Sequence, residues 1–206
     1  MERIVYINLD KRTDRRAQIE GELERMGLCG ERFSAVAVPE YGGVGCAMSH
    51  AAVVRQAALD GVGSLLVLED DFYWTVPDRA PLDARISAFF EAVPTYDVLM
   101  FDYCIDRGTP INDTMGRVHE ATCASGYLVA GTYLARLADC LEQGAALYQQ
   151  HPQAAWLFIN DQFWKRLQAT DSWYYLSPRL GTQRDGYSDL KKEMVVQTYR
   201  GPNTCA

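Results

Sequence analysis

Ser64-Leu65-Leu66-Val67-Leu68-Glu69-Asp70-Asp71-Phe72 runs four strongly apolar residues straight into three adjacent carboxylates. An apolar run this short, bounded by Gly63 on one side and charge on the other, reads as a strand buried on both faces. The carboxylates then sit where the strand leaves its carboxyl end, the edge at which open α/β sheets bind ligands. Three acids side by side repel one another unless a cation or donor groups lie among them. Oxygen ligands of this kind suit a hard divalent ion, Mg²⁺ or Mn²⁺, and such an ion suits a diphosphate. The plainer reading is an acidic turn that is simply solvated, as most charge clusters are. The rest of the chain weighs between the two.

Upstream, Ile4 to Leu9 is a strand by composition, and Asp10 to Arg16 follows it with Thr13 as an N-cap candidate. Ile19, Leu23 and Met26 recur at helical spacing, and Gly27 closes that helix. Phe33 to Val38 reads as a second strand that stops at Pro39. Gly42-Gly43-Val44-Gly45 leads into a helix with Met48, Ala51, Val54 (or Arg55) and Ala58 on its core face, ended by Gly61.

Downstream, a helix carries Ile86, Phe89, Phe90 and Val93, and Pro94 stops it. Asp97 to Asp102 is another buried strand ending in an acid, and residues 103–119 read as a polar loop punctuated by Gly108, Pro110 and Gly116. Cys123 to Ala130 reads as a strand that turns at Gly131 into a helix with Leu134, Leu137 and Leu141, then a short helical piece with Leu147 and Tyr148. Ile159 to Trp164 opens a further helix with Asn160 as N-cap, Trp173 to Leu176 is a late strand, and the tail from Pro178 is loop-like. The alternation of strand and helix over the first hundred residues predicts an α/β fold with a mostly parallel central sheet and helices on both faces. Neither a Gly-x-Gly-x-x-Gly after the first strand nor a P-loop is present, so both standard phosphate cradles are missing.

The 206 residues fit one domain, expected over 1–200, with 201–206 a linker or cut end. A net charge of −7 gives no bulk electrostatic case for nucleic acid or an anionic membrane surface. No run approaches the roughly 18 apolar residues of a membrane span, and Met1-Glu2-Arg3 leads directly into a strand, without a signal peptide. The six cysteines are scattered, with no Cys-x-x-Cys pair, and read as free thiols of a reducing compartment rather than as disulfides or a zinc site. A cytoplasmic location is expected, the host cytoplasm if the source is a virus.

Two further constellations carry chemistry. In Asn8-Leu9-Asp10-Lys11-Arg12-Thr13-Asp14-Arg15-Arg16, arginine forks stand at the start of a helix, where anions are favoured. Arg12 or Arg15 would hold a nucleotide diphosphate, or the cluster is a solvated helix start with local ion pairs. In Gly45-Cys46-Ala47-Met48-Ser49-His50, the histidine among small residues is either a ligand contact or a satisfied structural residue.

The order Ile7-Asn8-Leu9-Asp10-x-Arg12-x-Asp14-Arg15, Gly43-x-Gly45-Cys46-Ala47-x-Ser49-His50, Val67-Leu68-Glu69-Asp70-Asp71 resembles glycosyltransferase family 25. That family includes bacterial lipooligosaccharide and collagen hydroxylysine galactosyltransferases. Ala124-Ser125-Gly126-Tyr127-Leu128-Val129, Asn160-Asp161-Gln162-Phe163, and Gln183 with Tyr187-Ser188-Asp189-Leu190 also fit, so the resemblance spans about residues 4–190. Similar domains occur as modules of capsid-glycan enzymes in large viruses, including those of algae, so further domains of a longer polypeptide are among the candidate partners.

The resemblance implies a GT-A fold, a UDP-sugar donor, a glycan or glycoprotein acceptor, and Mn²⁺ (or Mg²⁺) held by an Asp-x-Asp-type motif at Glu69-Asp70-Asp71. Asp71 would be the direct metal ligand, with Asp70 and Asp189 as further metal candidates. Donor contacts would come from Asn8, Leu9, Arg12, Arg15, Val36, Ser49, His50, Glu69 and Asp70. Family members form β-linkages from α-linked UDP-sugars, so they invert, which requires a base separate from the metal cluster. Asp161 is the first candidate, with a helix-start acid favoured by the dipole as its plainer reading. Asp102 is the second. Trp74, Tyr103, Trp156 and Trp164 are candidates to stack on sugar rings, although aromatics more often fill cores.

Met100-Phe101-Asp102-Tyr103-Cys104 departs from the Leu-Gly ending of relatives, which leaves galactose, glucose and rhamnose open as the sugar. A metal-dependent phosphohydrolase and a non-catalytic nucleotide-sugar-binding module are the competing functions. The first lacks an Asp-x-Asp-x-Thr segment after the first strand.

Overall fold

The structure, a computed structural model, describes residues 1–190 and 192–196; the expected linker at 201–206 lies outside the described residues. The first half runs β1 (Arg3–Asn8), α1 (Thr13–Arg25), β2 (Glu31–Ser34), α2 (Gly42–Asp60), β3 (Ser64–Glu69), β4 (Phe72–Trp74), α3 (Arg79–Ala92) and β5 (Val98–Met100). Then follow β6 (Cys104–Asn112), β7 (Met115–Thr122), β8 (Gly126–Ala130), α4 (Leu134–Gln150), three single-turn helices α5 (Ala155–Phe158), α6 (Asn160–Phe163) and α7 (Lys165–Gln168), and β9 (Trp173–Leu176). Three short strands follow these: β10 (Gly181–Gln183), β11 (Gly186–Ser188) and β12 (Glu193–Val195).

Eight strands form one sheet in the order β2-β1-β3-β8-β5-β9-β7-β6. Strand periodicity sends alternate side chains to opposite faces. Val5, Ile7, Leu65 and Val67 pack one way against Val54 and Ala57 of α2 and Leu137 and Leu141 of α4. Ile4, Tyr6, Leu66 and Leu68 pack the other way against Ile19 and Leu23 of α1 and Leu82 and Phe89 of α3. Leu65 to Leu68 are completely buried, so truncating one of these leucines to Ala costs about 2–5 kcal/mol.

The expected helices on both faces are present, but the sheet is mixed rather than mostly parallel. Of its seven pairings three are parallel (β1–β2, β1–β3, β5–β9) and four antiparallel. Parallel neighbours need a crossover connection. Between β5 and β8 the chain instead makes the β6–β7 hairpin, then returns past the carboxyl end of β5, so β8 enters antiparallel between β3 and β5. That hairpin replaces the expected polar loop at 103–119. Gly108 and Pro110 belong to an exposed edge strand, the position in a sheet that tolerates them.

Other expectations move locally. α1 and α6 begin at Thr13 and Asn160, neither of which caps its helix. The tail carries β10, paired with β4, and the β11–β12 hairpin. Cys29, Cys46, Cys123 and Cys140 are free thiols, whereas Cys104 is disulfide-bonded. No helix among the described residues is long and apolar enough to cross a membrane.

Phe72, directly after the acids, is completely buried. Its ring lies against the backbone of both Gly126 and Gly181, so closely that a Cβ at either position would overlap it. This contact seats β10 beside the end of β3.

Candidate functional site

Register sets the floor of the site. Ile7 pairs with Glu69, and Leu68 with Gly126, so Asn8, the three acids and Ser125 gather at one edge of the sheet. Asp70 turns toward β1: its Oδ2 accepts from Asn8 Nδ2 at 2.8 Å, and its Oδ1 from Arg15 Nη1 at 3.0 Å. The same Arg15 nitrogen is 2.9 Å from Asp71 Oδ2. Gln183 Nε2 lies between the other pair, 3.1 Å from Glu69 Oε2 and 3.4 Å from Asp71 Oδ1. A donor nitrogen therefore stands between Asp71 and each of the other two carboxylates.

Burial, reinforced by the charge of Glu69, pushes the Asp71 carboxyl up to about 7. Burial likewise raises Asp70. Glu69 behaves differently: burial, the largest single effect, opposes its charge, but the contacts from His50, Arg15 and Cys46 together hold its carboxyl below the ordinary value. His50 is completely buried, with Nε2 3.1 Å from Glu69 Oε1 and Nδ1 2.9 Å from the Tyr127 hydroxyl. Ser49, one residue earlier on α2, accepts from the Val36 N–H at 2.8 Å and donates to the Gly45 carbonyl at 2.7 Å. It thereby fixes the loop after β2 against the helix.

Above the floor lies a cavity of about 660 Å³. The roof is the tail. Asp189 is clasped by Lys11 Nζ and Arg12 Nη1, each at 2.6 Å, and the Tyr187 carbonyl accepts from Arg12 at 3.1 Å and Arg15 at 2.9 Å. Burial opposes the Asp189 charge, but the Lys11 and Arg12 bonds prevail and lower its carboxyl. Asp189 thus faces the cation cluster rather than the acids.

The structure brings Leu9, Arg12, Arg15, Val36, Ser49, His50, Glu69, Asp70, Asp71, Asp161 and Asp189 to the lining of this one cavity. Asn8, 1% exposed, supports the lining from behind through Asp70. Asp102 is not on the lining. It is 1% exposed, accepts from Ser125 Oγ at 2.6 Å, Cys123 Sγ at 3.1 Å and the Tyr103 N–H at 2.9 Å, and lies 3.4 Å from Arg179. A carboxylate so enclosed anchors the loop before β8 and has no path to an acceptor. Of the aromatic candidates, Trp74, Tyr103 and Trp164 are core residues, and only Trp156 is exposed, at 71%.

Three residues contribute beyond the expected site set. Lys11 joins the clasp on Asp189, and Gln183 bridges the acids. Cys123, in the left-handed region at φ +82°, donates its N–H to Asp161 Oδ2 at 3.1 Å and its thiol to Asp102. A non-glycine residue in that region is strained and is held there by its surroundings. Lys11 stood in the basic run and Gln183 among the family-like motifs, neither with an assigned role, and Cys123 read as ordinary strand. Burial also raises Asp161 above its ordinary value.

The donor set fits a hard divalent ion at Asp71. The oxygen-only composition, the carboxyl raised to about 7 and the bridging nitrogens all mark a place where positive charge is wanted. Glu69, which shares Gln183 with it, would be the neighbouring oxygen ligand.

No family model and no curated protein matches this chain. Among solved structures, it is similar to a glycosyltransferase involved in glycosylation of the major capsid of PBCV-1, with a TM-score of 0.56 and 13% identity, over 92% of this chain and 95% of that one. It is also similar to A197 from STIV, with a TM-score of 0.50 and 11% identity, over 100% of this chain and 99% of the other. At such identities the likeness is one of fold, and the fold is GT-A-like. The resemblance to glycosyltransferase family 25 rests on the motifs alone.

Proposed function

We propose that this chain is a metal-dependent inverting glycosyltransferase that moves a hexose or deoxyhexose (galactose, glucose or rhamnose) from a UDP-sugar to a glycan or glycoprotein acceptor. One observation carries the reading: a cation cluster, an acid cluster and a separate carboxylate, Asp161, all line a single cavity at the carboxyl edge of the sheet. The first two suit a diphosphate with its metal, and the third suits an acceptor.

Lys11, Arg12 and Arg15 donate to phosphate oxygens, the guanidinium forks in two-point fashion. Leu9 and Val36 give the nucleoside apolar surface, and His50 holds Glu69 in position. A divalent ion, Mn²⁺ or Mg²⁺, bound by Asp71 and Glu69 would neutralise the charge gathering on the diphosphate as it departs. Asp161 has Oδ2 engaged by the Cys123 N–H and takes the acceptor hydroxyl's proton on Oδ1. The acceptor oxygen forms its bond to the anomeric carbon as the bond to UDP breaks on the opposite face, which inverts that centre. A carboxyl raised by burial is a better base near neutral pH than an ordinary aspartate.

Titration of UDP by calorimetry with and without Mn²⁺ tests the reading, together with the anomeric configuration of the product by NMR. Binding at least tenfold tighter with metal, lost in Asp71→Ala, is expected. UDP that binds equally without metal and in Asp71→Ala overturns it. A UDP-sugar that binds but is neither hydrolysed nor transferred leaves only a binding module.

A further inference from the structure

Beside the oxygen cluster, the cavity contains a group of different chemistry. Cys46 and His50 lie four residues apart on α2, hence on one helix face, and both turn toward Glu69 at the end of β3. Their ligand atoms, one sulfur, one nitrogen and one oxygen, all fall within 4.8 Å of one another. His50 Nε2 is 3.1 Å and Cys46 Sγ 3.8 Å from the same Glu69 oxygen. Zinc bonds of about 2.3 Å to sulfur and about 2.0–2.1 Å to nitrogen and oxygen, at tetrahedral angles, give edges of about 3.5 Å for S···O and about 3.3 Å for N···O. Both distances to the Glu69 oxygen therefore stand within a few tenths of an ångström of the edges of a zinc tetrahedron. All three residues line the cavity, the side from which a fourth ligand would come.

We propose that Cys46, His50 and Glu69 form a second cation site that takes a borderline-soft divalent ion, Zn²⁺ or Co²⁺, in preference to Mn²⁺ or Mg²⁺. Thiolate and imidazole supply that preference, just as the carboxylates around Asp71 supply the opposite one. Ligating histidines are oriented by a partner on the other ring nitrogen. Here that partner is the Tyr127 hydroxyl, 2.9 Å from Nδ1, which can donate or accept and so serves either tautomer. The thiol surrenders its proton to solvent when the ion binds.

Glu69 belongs to both sites, because Gln183 ties it to Asp71. An ion held by Cys46 and His50 therefore draws Glu69 away from the acid cluster, and zinc becomes an inhibitor of metal-dependent UDP binding. This consequence rests on the proposed donor reading; the site itself does not.

Co²⁺ titration of the full chain in a phosphine reductant, followed by absorption, tests the site. A sulfur-to-cobalt charge-transfer band that saturates at one ion per chain is expected. The band should persist in Asp71→Asn and in Cys29→Ser and be lost in Cys46→Ser. If Cys46→Ser does not fold, protection of Cys46 from alkylation by Zn²⁺ in the parent protein, mapped by peptide mass, detects the same sulfur-to-metal bond. Absence of a band or of protection overturns the site, as does a band that survives in Cys46→Ser. Micromolar Zn²⁺ should weaken Mn²⁺-dependent UDP binding at least tenfold in the parent and less than twofold in Cys46→Ser. A cobalt band in a protein that never binds UDP upholds the site and sinks the glycosyltransferase reading instead.

Discussion

The floor and the roof of the cavity are held by different forces. The floor stands on β1 and β3, whose central residues are buried on both faces and whose backbones pair over five residues. The roof, from β10 to β12, consists of three-residue strands and exposes Tyr187, Leu190 and Met194. Its outer part, β11 and β12, is held to the body by the clasp of Lys11 and Arg12 on Asp189 and by the Tyr187 carbonyl, whereas β10 is seated by its pairing with β4 and by Arg184. Burial of apolar area is worth many kcal/mol, whereas partly exposed ion pairs contribute about 0–1 kcal/mol each. A site built this way keeps its acids fixed and its covering loosely tied. The cations that fasten the roof are the ones that face the cavity.

The contrast is broken most severely at Asp71. Asp71→Asn should lower Mn²⁺-dependent transfer by about 10³-fold, the scale of a lost charge-stabilising group, as read by UDP release. The same variant should melt higher than the parent above pH 7 in the absence of metal. The parent carboxyl titrates at about 7 in the fold, against about 4 in the unfolded chain. Its contribution to stability is full below about pH 4 and is lost as pH rises through 7. The variant should therefore be the more stable of the two at pH 8, and the two melting curves should converge toward pH 4.

Asp161→Asn should cut kcat by about 10²-fold or more while changing UDP affinity less than twofold, since it removes only proton acceptance. Isothermal titration beside steady-state rates would separate the two effects. Asp102→Asn should act on stability instead. Arg179, 4% exposed, would lose its buried charge partner, at about 3 kcal/mol by urea denaturation.

The smallest effect belongs to the roof. Asp189→Asn should cost less than about 1 kcal/mol in global stability. Amide exchange over 186–190 should nevertheless rise severalfold, with β1 and β3 unchanged. Exchange that accelerates equally in floor and roof would mean that the two open as one unit.

The floor was legible because its cause is local. Leu65 to Leu68 read as a buried strand from their own composition, which puts the three acids at the sheet edge. Strand and helix alternate as expected up to β5, except that β2 lies at Glu31–Ser34 rather than 33–38 and β4 was not foreseen. Beyond it, the cause of structure becomes non-local. β6 carries Gly108 and Pro110 and is half in water, so only its pairing with β7 makes it a strand. Asp189 carries no local mark of its partners, which lie some 177 residues earlier. Asp102 looked like Asp71, an acid ending a buried strand. What separates them is Ser125, Cys123 and Arg179, brought in from other segments of the chain.

Phe72 and its two glycines have a consequence for how the site tolerates change. The aim of Asp71 depends on an oily plug one residue away, seated in a notch made by the bare backbones of Gly126 and Gly181. A single methyl group at either glycine would tip the plug and swing the carboxylate without touching one polar atom. Gly126→Ala or Gly181→Ala should therefore disturb the site without altering a polar group, and a screen confined to charged residues would never find these two positions.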